Sequence, residues 1–480
     1  MLTYRECVGK SVYEIFLILR EKYGERSAFS WWTENGPSQV SYAEFVDDTL
    51  TMAEAFSRRG LRGKRVVISG RNIYETVVSF LGAVIMGSCA VMLNFDLAGE
   101  RLEEELNRLD PELIMCREEE AELIEAWVSR KACPVLFTDG SGEGCVRAVL
   151  AERAGLYAQR EKPDLEAPAL MLMTSGSTGR AKWAVIPQRA FWPHDTSPYG
   201  DQVLILPLYH VAVISAIVDN ICQGVRLGLS DMGNGIRDIG WFRPKLLLAV
   251  PLFLSLLVKR AKQGELNMDS FEMIGSGGAP ENPAISQFFH EMGIVSPSLY
   301  GATETFGAVA YSGKGIFKEG SVGRVGEWNE VRISEQGEIL IKGSCIMSGY
   351  MDEPEETEKA LMDGWFHTGD IGYVDGDGFL FITGRLKNII ILSNGENVSP
   401  EEIERSLSAC SAVEEVVVRG ENDILAAYVH VKTPGDKGEE ETAREFIREY
   451  NRNAPTYYRI GKIIFSDEPF EKTASGKVKR

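Results

Sequence analysis

The sequence predicts an α/β protein. A large N-terminal domain of parallel, helix-covered sheets with a small β-rich subdomain precedes a small α+β C-terminal domain. Three observations carry this. Short apolar runs alternate with helix-period segments over the first 170 residues, and the same grammar continues to residue 274. From Ser321 the pattern changes to short strands punctuated by glycine. Beyond residue 385 a helix, two strands, a second helix and a last strand fill a segment of about a hundred residues, an ordinary domain size. At 480 residues the chain exceeds a single core, so two or three domains are expected.

The elements follow in order. Residues 1–24 place Val12, Ile15, Phe16 and Leu19 on one face of an amphipathic helix. Strands at 65–69, 89–93, 113–116 and 134–137 alternate with helices at 72–87, 101–109 and 118–130, which implies parallel pairing with crossovers. An apolar run at 169–173 reads as a buried strand, and 202–206, 245–250 and 271–274 are strands each followed by a helical stretch. The run 246–258 breaks at Pro251, so a strand gives way to a helix, and it is too short to span a bilayer. Strands at 338–342 and 378–382 belong to the β-rich subdomain. A boundary near Arg385 to Lys387 divides the chain into 1–384 and 385–480. The second part holds helices at 400–407 and 439–452 with strands at 415–419, 424–431 and 462–466. Loops at 174–182, 275–280 and 300–304 fall at the carboxyl ends of strands, where such sheets bind ligands.

Composition excludes several functions. Asp and Glu outnumber Lys and Arg by 70 to 51, and a formal charge of −19 with no basic stripe argues against nucleic acid. The eight cysteines form no C-x-x-C pair, which predicts reduced, buried thiols in a cytoplasmic protein. The five histidines lack metal-ligand spacing, so no structural zinc is expected.

The most informative stretch is M-T-S-G-S-T-G-R-A-K at 173–182. Thr174 opens a loop with three hydroxyls (Ser175, Ser177, Thr178) and two glycines (Gly176, Gly179), whose backbone N–H groups can turn inward on phosphate oxygens. Lys182 supplies a compact cation for the outer phosphates. It lies three residues past Gly179, so the loop is not the G-x-x-x-x-G-K-[ST] type. Alone, such a loop reads more readily as a flexible Gly/Ser turn.

Four further stretches change that weighing: S-L-Y-G-A-T-E at 298–304, G-W-F-H-T-G-D at 364–370, G-R-L-K-N-I-I-I-L-S-N-G-E-N-V-S-P-E-E-I-E at 384–404, and K-T-A-S-G-K-V-K-R at 472–480. In this order, with the first loop, they resemble the adenylate-forming superfamily of acyl- and aryl-CoA ligases, peptide-synthetase adenylation domains and luciferases. The resemblance covers the last two thirds of the chain and is nearest the acyl-CoA synthetase branch. It implies ATP, Mg²⁺ and CoA, or a carrier-protein phosphopantetheine in place of CoA. It also implies that the small C-terminal domain is mobile.

The resemblance assigns the 174–182 loop to the β- and γ-phosphates. It gives Thr303 to the α-phosphate and Glu304 to Mg²⁺, a hard cation suited to carboxylate and phosphate oxygens. Tyr300 and Gly301, with Gly277, Gly278 and Ala279, would frame the adenine. Asp370 would accept the ribose hydroxyls, and Arg385 would reach ribose or phosphate. Lys477 would bridge the substrate carboxylate and the α-phosphate. Lys387 matches a hinge position, and Gly395 would leave room for a pantetheine arm, or simply turn a hairpin.

The segment 206–224 matches the one that lines the acid pocket, with His210 and Val211 near the substrate carboxylate. His210 is expected to position or gate, since a carboxylate nucleophile needs no base at pH 7. By the same resemblance, amino-acid-activating relatives place an aspartate close after this position to meet an α-ammonium, whereas Val211, Ala212, Val213 and Ile214 stand here; a buried ammonium without a carboxylate is costly, so a non-amino acid, fatty or aryl, is favoured. Two departures from the family pattern are Trp183 beside the cation and Glu471 where relatives carry proline. The stretch from Lys182 to the next strand near residue 202 is also short. Alternatives are transfer to an acyl carrier protein, a luciferase-type oxygenase, or a module that holds a nucleotide or acyl-adenylate without turnover.

Overall fold

A computed structural model describes residues 1–97, 99–153, 155–174, 181–194, 200–276, 283–313, 315–393, 396–421 and 424–471. The chain forms two compact units. The first comprises Met1–Lys318, Gly323–Glu330 and Lys342–Phe366, and the second Glu319–Val322, Val331–Ile341 and His367–Arg480.

Two sheets dominate the first unit. One runs in the order Gly349–Tyr350, Trp183–Pro187, Pro168–Met173, Cys89–Leu93, Arg65–Ser69, Leu113–Cys116 and Val135–Phe137. Its last five strands are parallel. They read as unbroken apolar runs because both faces are covered. Leu102, Leu106, Ile124 and Trp127 of two helices pack on one face against Val67, Val91 and Ile114, and the helix Tyr74–Met86 packs on the other.

Trp183–Pro187 and Gly349–Tyr350 run antiparallel, unlike the all-parallel expectation. Only residues 174–182 separate Met173 from Trp183. A parallel crossover needs about a dozen residues or more, so the chain has to fold straight back. The next strand after Lys182 is therefore its immediate neighbour, and not the one near residue 202.

The second sheet has the order Met273–Ser276, Leu246–Ala249, Gln202–Leu204, Leu227–Leu229, Ser27–Thr33 and Gly36–Ser41. All its pairs are parallel except the final hairpin. As the sequence predicts, Leu246–Ala249 ends before a helix, Pro251–Lys262, with proline in its first turn. Tyr74–Met86 is buried at every position, as a helix apolar on all sides should be. It lies between the two sheets, with Tyr74 stacked on Trp31 at 5.0 Å.

Several boundaries shift for identifiable reasons. The N-terminal helix is two, Tyr4–Cys7 and Val12–Tyr23, because Ser11 and Glu14 form a capping box that starts a new one. Tyr300 lies within a strand, Leu299–Ala302, antiparallel to Gly307–Tyr311, and not in a loop at a parallel strand end. The helix expected from Asn72 begins at Tyr74, because Asn72 joins the sheets instead. Its Nδ2 donates to carbonyl oxygens at the carboxyl ends of the neighbouring sheet: Leu206 at 2.7 Å, Ser230 at 2.9 Å and Leu204 at 3.3 Å.

In the second unit, Val413–Glu421 and Ile424–Val431 are antiparallel, and Ile460–Phe465 adds to the latter in parallel. Pro400–Leu407 and Lys437–Asn453 contribute Ile403, Leu407 and Ile447 to a core with Val416, Val418, Ala427 and Val429. All eight cysteines are buried free thiols, and burial pushes those of Cys89 and Cys116 up to about 12. Among the described residues no helix is long and apolar enough to cross a membrane.

Asn72→Ala removes the donor from carbonyls at the sheet junction. It is expected to destabilise the protein by about 1–3 kcal/mol in denaturant unfolding; an unchanged midpoint would show that the two sheets do not depend on this amide.

Candidate active site

The site is built outward from Trp183–Pro187. Strand alternation sends successive side chains to opposite faces. Trp183 points into the core, 0% exposed, and its Nε1 donates to Glu105 Oε2 at 2.8 Å. Glu105, itself buried, also accepts from Arg108 at 3.1 Å, so its charge is paired. The indole is therefore a core anchor and does not stand beside the cation. Lys182, one residue earlier, faces the other way. Its carbonyl accepts from Thr174 N at 2.8 Å, which closes the base of the 174–182 loop.

Lys182 Nζ lies 4.8 Å from the ring centroid of Tyr350 and forms an ion pair with Glu356. Tyr350 Oη donates to Glu304 Oε1 at 2.8 Å. One phenol thus joins the proposed phosphate cation to the proposed metal carboxylate. Burial first, and then the Glu304 charge, raise the Tyr350 pKa, so its hydroxyl stays a donor. Glu356 is held down to about 2 by its bonds to Lys182 and Lys359.

Thr303 and Glu304 sit on a single 3₁₀ turn, Thr303–Thr305. Thr305 Oγ1 donates to Gly307 O at 2.8 Å and accepts from Ala302 N at 2.8 Å, fixing the turn at both ends. Phe306 adopts φ 44, rare for an aromatic residue, and is held there fully buried against Phe191 at 5.0 Å. Gly301 is required, because a Cβ would collide with the Gly307 carbonyl. Tyr300 is half-buried on the same strand.

The second unit holds its own group. Asp370 Oδ1 pairs with Arg385 Nε at 2.7 Å. The strand segment before Asp370 is clamped by Glu338, which accepts from Gly369 N at 2.9 Å through Oε1 and meets His367 Nδ1 at 2.9 Å through Oε2. Asp370 N donates to Thr368 Oγ1 at 3.0 Å. Lys387 lies in the 3₁₀ turn Leu386–Asn388, immediately after the strand Phe379–Arg385.

His210 caps the helix Val211–Gln223, its carbonyl accepting from Val213 N at 3.0 Å, and Val211 is the first helical residue. The imidazole is exposed at one edge, yet desolvation by its surroundings, including the Tyr209 ring at 4.7 Å, lowers its pKa. Ser175, Gly176, Ser177, Thr178, Gly179, Gly277, Gly278, Ala279, Gly395 and Lys477 lie outside the described residues.

The structure therefore brings together Thr174 with Lys182, Lys182 with Glu304 through Tyr350, and Asp370 with Arg385. Tyr350 and Glu356 escape sequence reasoning. One signal was available: in S-G-Y-M-D-E-P-E-E-T, proline and two acidic residues announce a helix start, realised as Pro354–Ala360. Among the described residues no group of three or more His, Cys, Asp and Glu could hold a metal by itself. A lone carboxylate linked to a nearby cation fits Mg²⁺, which takes one or two carboxylates and completes its shell with phosphate oxygens and water.

Mixed, helix-covered sheets whose strand edges present a linked cation and carboxylate are the form of an α/β nucleotide-handling enzyme. Residues 19–351 match the AMP-binding enzyme family, and residues 387–480 match the AMP-binding enzyme C-terminal domain. The chain belongs to the family of AMP-binding enzymes. It is 26% identical to a 2-succinylbenzoate–CoA ligase of Listeria innocua, covering 92% of this chain and 93% of that protein. It is 28% identical to a long-chain-fatty-acid–CoA ligase of Mycobacterium tuberculosis, covering 92% of each. The fold resembles that of an O-succinylbenzoate coenzyme A synthetase from Bacillus subtilis in complex with ATP and magnesium, with a TM-score of 0.76, 23% identity and 98% of each chain covered.

Glu356 holds Lys182, the cation proposed for the outer phosphates. Glu356→Gln is expected to tighten binding of a non-hydrolysable ATP analogue about twofold to fivefold, the span of a partly exposed ion pair. Calorimetry without acid substrate measures this, and unchanged or weaker affinity would show that Glu356 does not compete.

Proposed function

We propose that the protein is an ATP- and Mg²⁺-dependent ligase that joins a non-amino carboxylic acid, fatty or aryl, to CoA. The observation that carries this reading is the Lys182–Tyr350–Glu304 group beside the 174–182 loop: a cation and a carboxylate, held at fixed spacing. Relatives named for an aryl and for a fatty acid support both acid classes.

In the first half-reaction a carboxylate oxygen attacks the α-phosphorus of ATP. The bond to the β-phosphate oxygen breaks, and pyrophosphate leaves with the acyl-adenylate formed. In the second, the CoA thiol loses its proton, its sulfur attacks the acyl carbon, and AMP departs. Both steps are dominated by positioning and charge neutralisation. The 174–182 loop and Lys182 would hold the outer phosphates, and Thr303 the α-phosphate. Glu304 would hold Mg²⁺, which supplies positive charge to the phosphate oxygens. Tyr300, Gly301, Gly277, Gly278 and Ala279 would frame the adenine, and Asp370 with Arg385 the ribose. Lys477 would steady the carboxylate against the α-phosphate. Lys387 would be the hinge for residues 385–480, Gly395 would clear the pantetheine path, and His210 with Val211 would border the acid. Buried free thiols throughout support a cytoplasmic setting.

Pyrophosphate release with ATP and Mg²⁺, measured across fatty, aryl and amino acids with and without CoA, tests the reading. Acid-dependent release that rises with CoA is expected. Release indifferent to CoA would favour a carrier-protein phosphopantetheine, and none with any acid would favour a binding module. Lys477→Ala is expected to abolish adenylation while sparing thioester formation from supplied acyl-adenylate; equal loss of both would remove its assigned role.

A further inference from the structure

We propose that Tyr350 is a positioning residue that sets the spacing between the metal carboxylate and the phosphate cation, its hydroxyl orienting Glu304 and its ring seating Lys182. The proposal rests on the reading of Glu304 and Lys182 given above.

The argument begins with the backbone. Tyr350 lies on a short strand paired antiparallel with Trp183–Pro187, opposite Ala184. Ser348 N donates to Val185 O at 2.8 Å, and Met351 N donates to Trp183 O at 2.9 Å. On its other side Met347 N donates to Glu304 O at 2.9 Å. Tyr350 N donates to Thr357 Oγ1 at 2.8 Å, and that hydroxyl donates to Glu353 O at 2.9 Å, tying the strap to the helix that follows. Gly349, at φ 149, makes this possible, since a Cβ there would meet the Thr357 side chain. The strap is thus fixed to the strand after Lys182 and to the turn carrying Glu304 by main-chain bonds alone.

The side chain then does what those bonds cannot. A carboxylate on a short turn rotates about its own torsions, and a lysine explores many rotamers. The Tyr350 hydroxyl, 2.8 Å from Glu304 Oε1, fixes one carboxylate oxygen and so the plane of the other. The ring, 4.8 Å from Lys182 Nζ, offers a π face to a cation that would otherwise rest on Glu356 alone. A rigid phenol holds both charges at a set distance, as a metal–triphosphate requires. Preorganisation of this kind acts through groups that touch the substrate.

The test separates hydroxyl from ring. Tyr350→Phe keeps the ring and the main-chain strap, so it should melt as the wild type does. It is expected to raise the Mg²⁺ concentration for half-maximal binding of α,β-methylene ATP by about threefold to tenfold, the net worth of one ordinary hydrogen bond. Affinity for the analogue at saturating Mg²⁺ should stay the same. Tyr350→Leu should weaken binding at saturating Mg²⁺ as well. Calorimetry at stepped Mg²⁺ reads all of this without turnover. Glu304→Gln is the control. If it shifts the Mg²⁺ dependence and Tyr350→Phe does not, or if Tyr350→Phe weakens binding equally at every Mg²⁺ concentration, the positioning role is overturned. If Glu304→Gln itself leaves the Mg²⁺ dependence unchanged, the metal assignment on which the proposal rests fails first.

Discussion

The nucleotide site depends on one strand that folds back. Because 174–182 is too short for a crossover, Trp183–Pro187 must pair antiparallel with Pro168–Met173. That pairing fixes the direction of Lys182. Alternation puts Trp183 into the core, where its indole satisfies Glu105, and leaves Lys182 at the edge. A slip of one residue would bury the lysine and expose the tryptophan. The anchored indole is what makes such a slip costly, since Glu105 would lose a buried donor. Gly349–Tyr350 can add to the sheet only on the free side of this strand, so the placement of Tyr350 follows from the same event.

The charges around Lys182 add little to stability. Its side chain is 21% exposed and that of Glu356 is 35% exposed, and ion pairs so open to water contribute modestly. Their consequence lies in order. Before nucleotide arrives, Lys182 has both a carboxylate and a ring to rest against, so it is held within the site and does not extend into solvent. On the proposed reading, exchanging Glu356 for a phosphate would replace one anion by another, and the desolvation of the lysine would not be repeated. Lys359, 2.7 Å from Glu356, keeps that carboxylate paired when it lets go.

The legible parts of this fold are those set by local pattern. Strands 65–69, 89–93 and 113–116 were readable because burial on both faces demands unbroken apolar runs. Pro251 and Pro400 mark helix starts for the reason proline always can, a missing N–H where none is needed. The strand Trp183–Pro187 was hidden, although the crossover rule would have demanded it. The hairpin Ser27–Thr33 and Gly36–Ser41 was missed because its second strand is polar and half exposed. Lys182 was singled out by the composition of its own loop, whereas Glu304, Asp370 and Arg385 were singled out only through family motifs. Tyr350 and Glu356 were singled out by neither, because their partners lie 46 and 174 residues away and nothing local betrays the contact.

Asp370 illustrates the same separation of signal from cause. Its motif, H-T-G-D, names the carboxylate, but the backbone before it is held by Glu338, a residue outside the motif. Glu338 takes Gly369 N with one oxygen and His367 with the other, and is nearly buried between them. That leaves Thr368 free to bridge the Ile339 carbonyl and Asp370 N, which fixes the direction in which the aspartate leaves the strand. Arg385 then holds one carboxylate oxygen at 2.7 Å. On the proposed reading, the ribose would meet an acceptor already held in place. In both units, then, the motif names a carboxylate with a proposed binding role, while a side chain outside the motif braces it or the backbone before it: Tyr350 for Glu304, and Glu338 for Asp370.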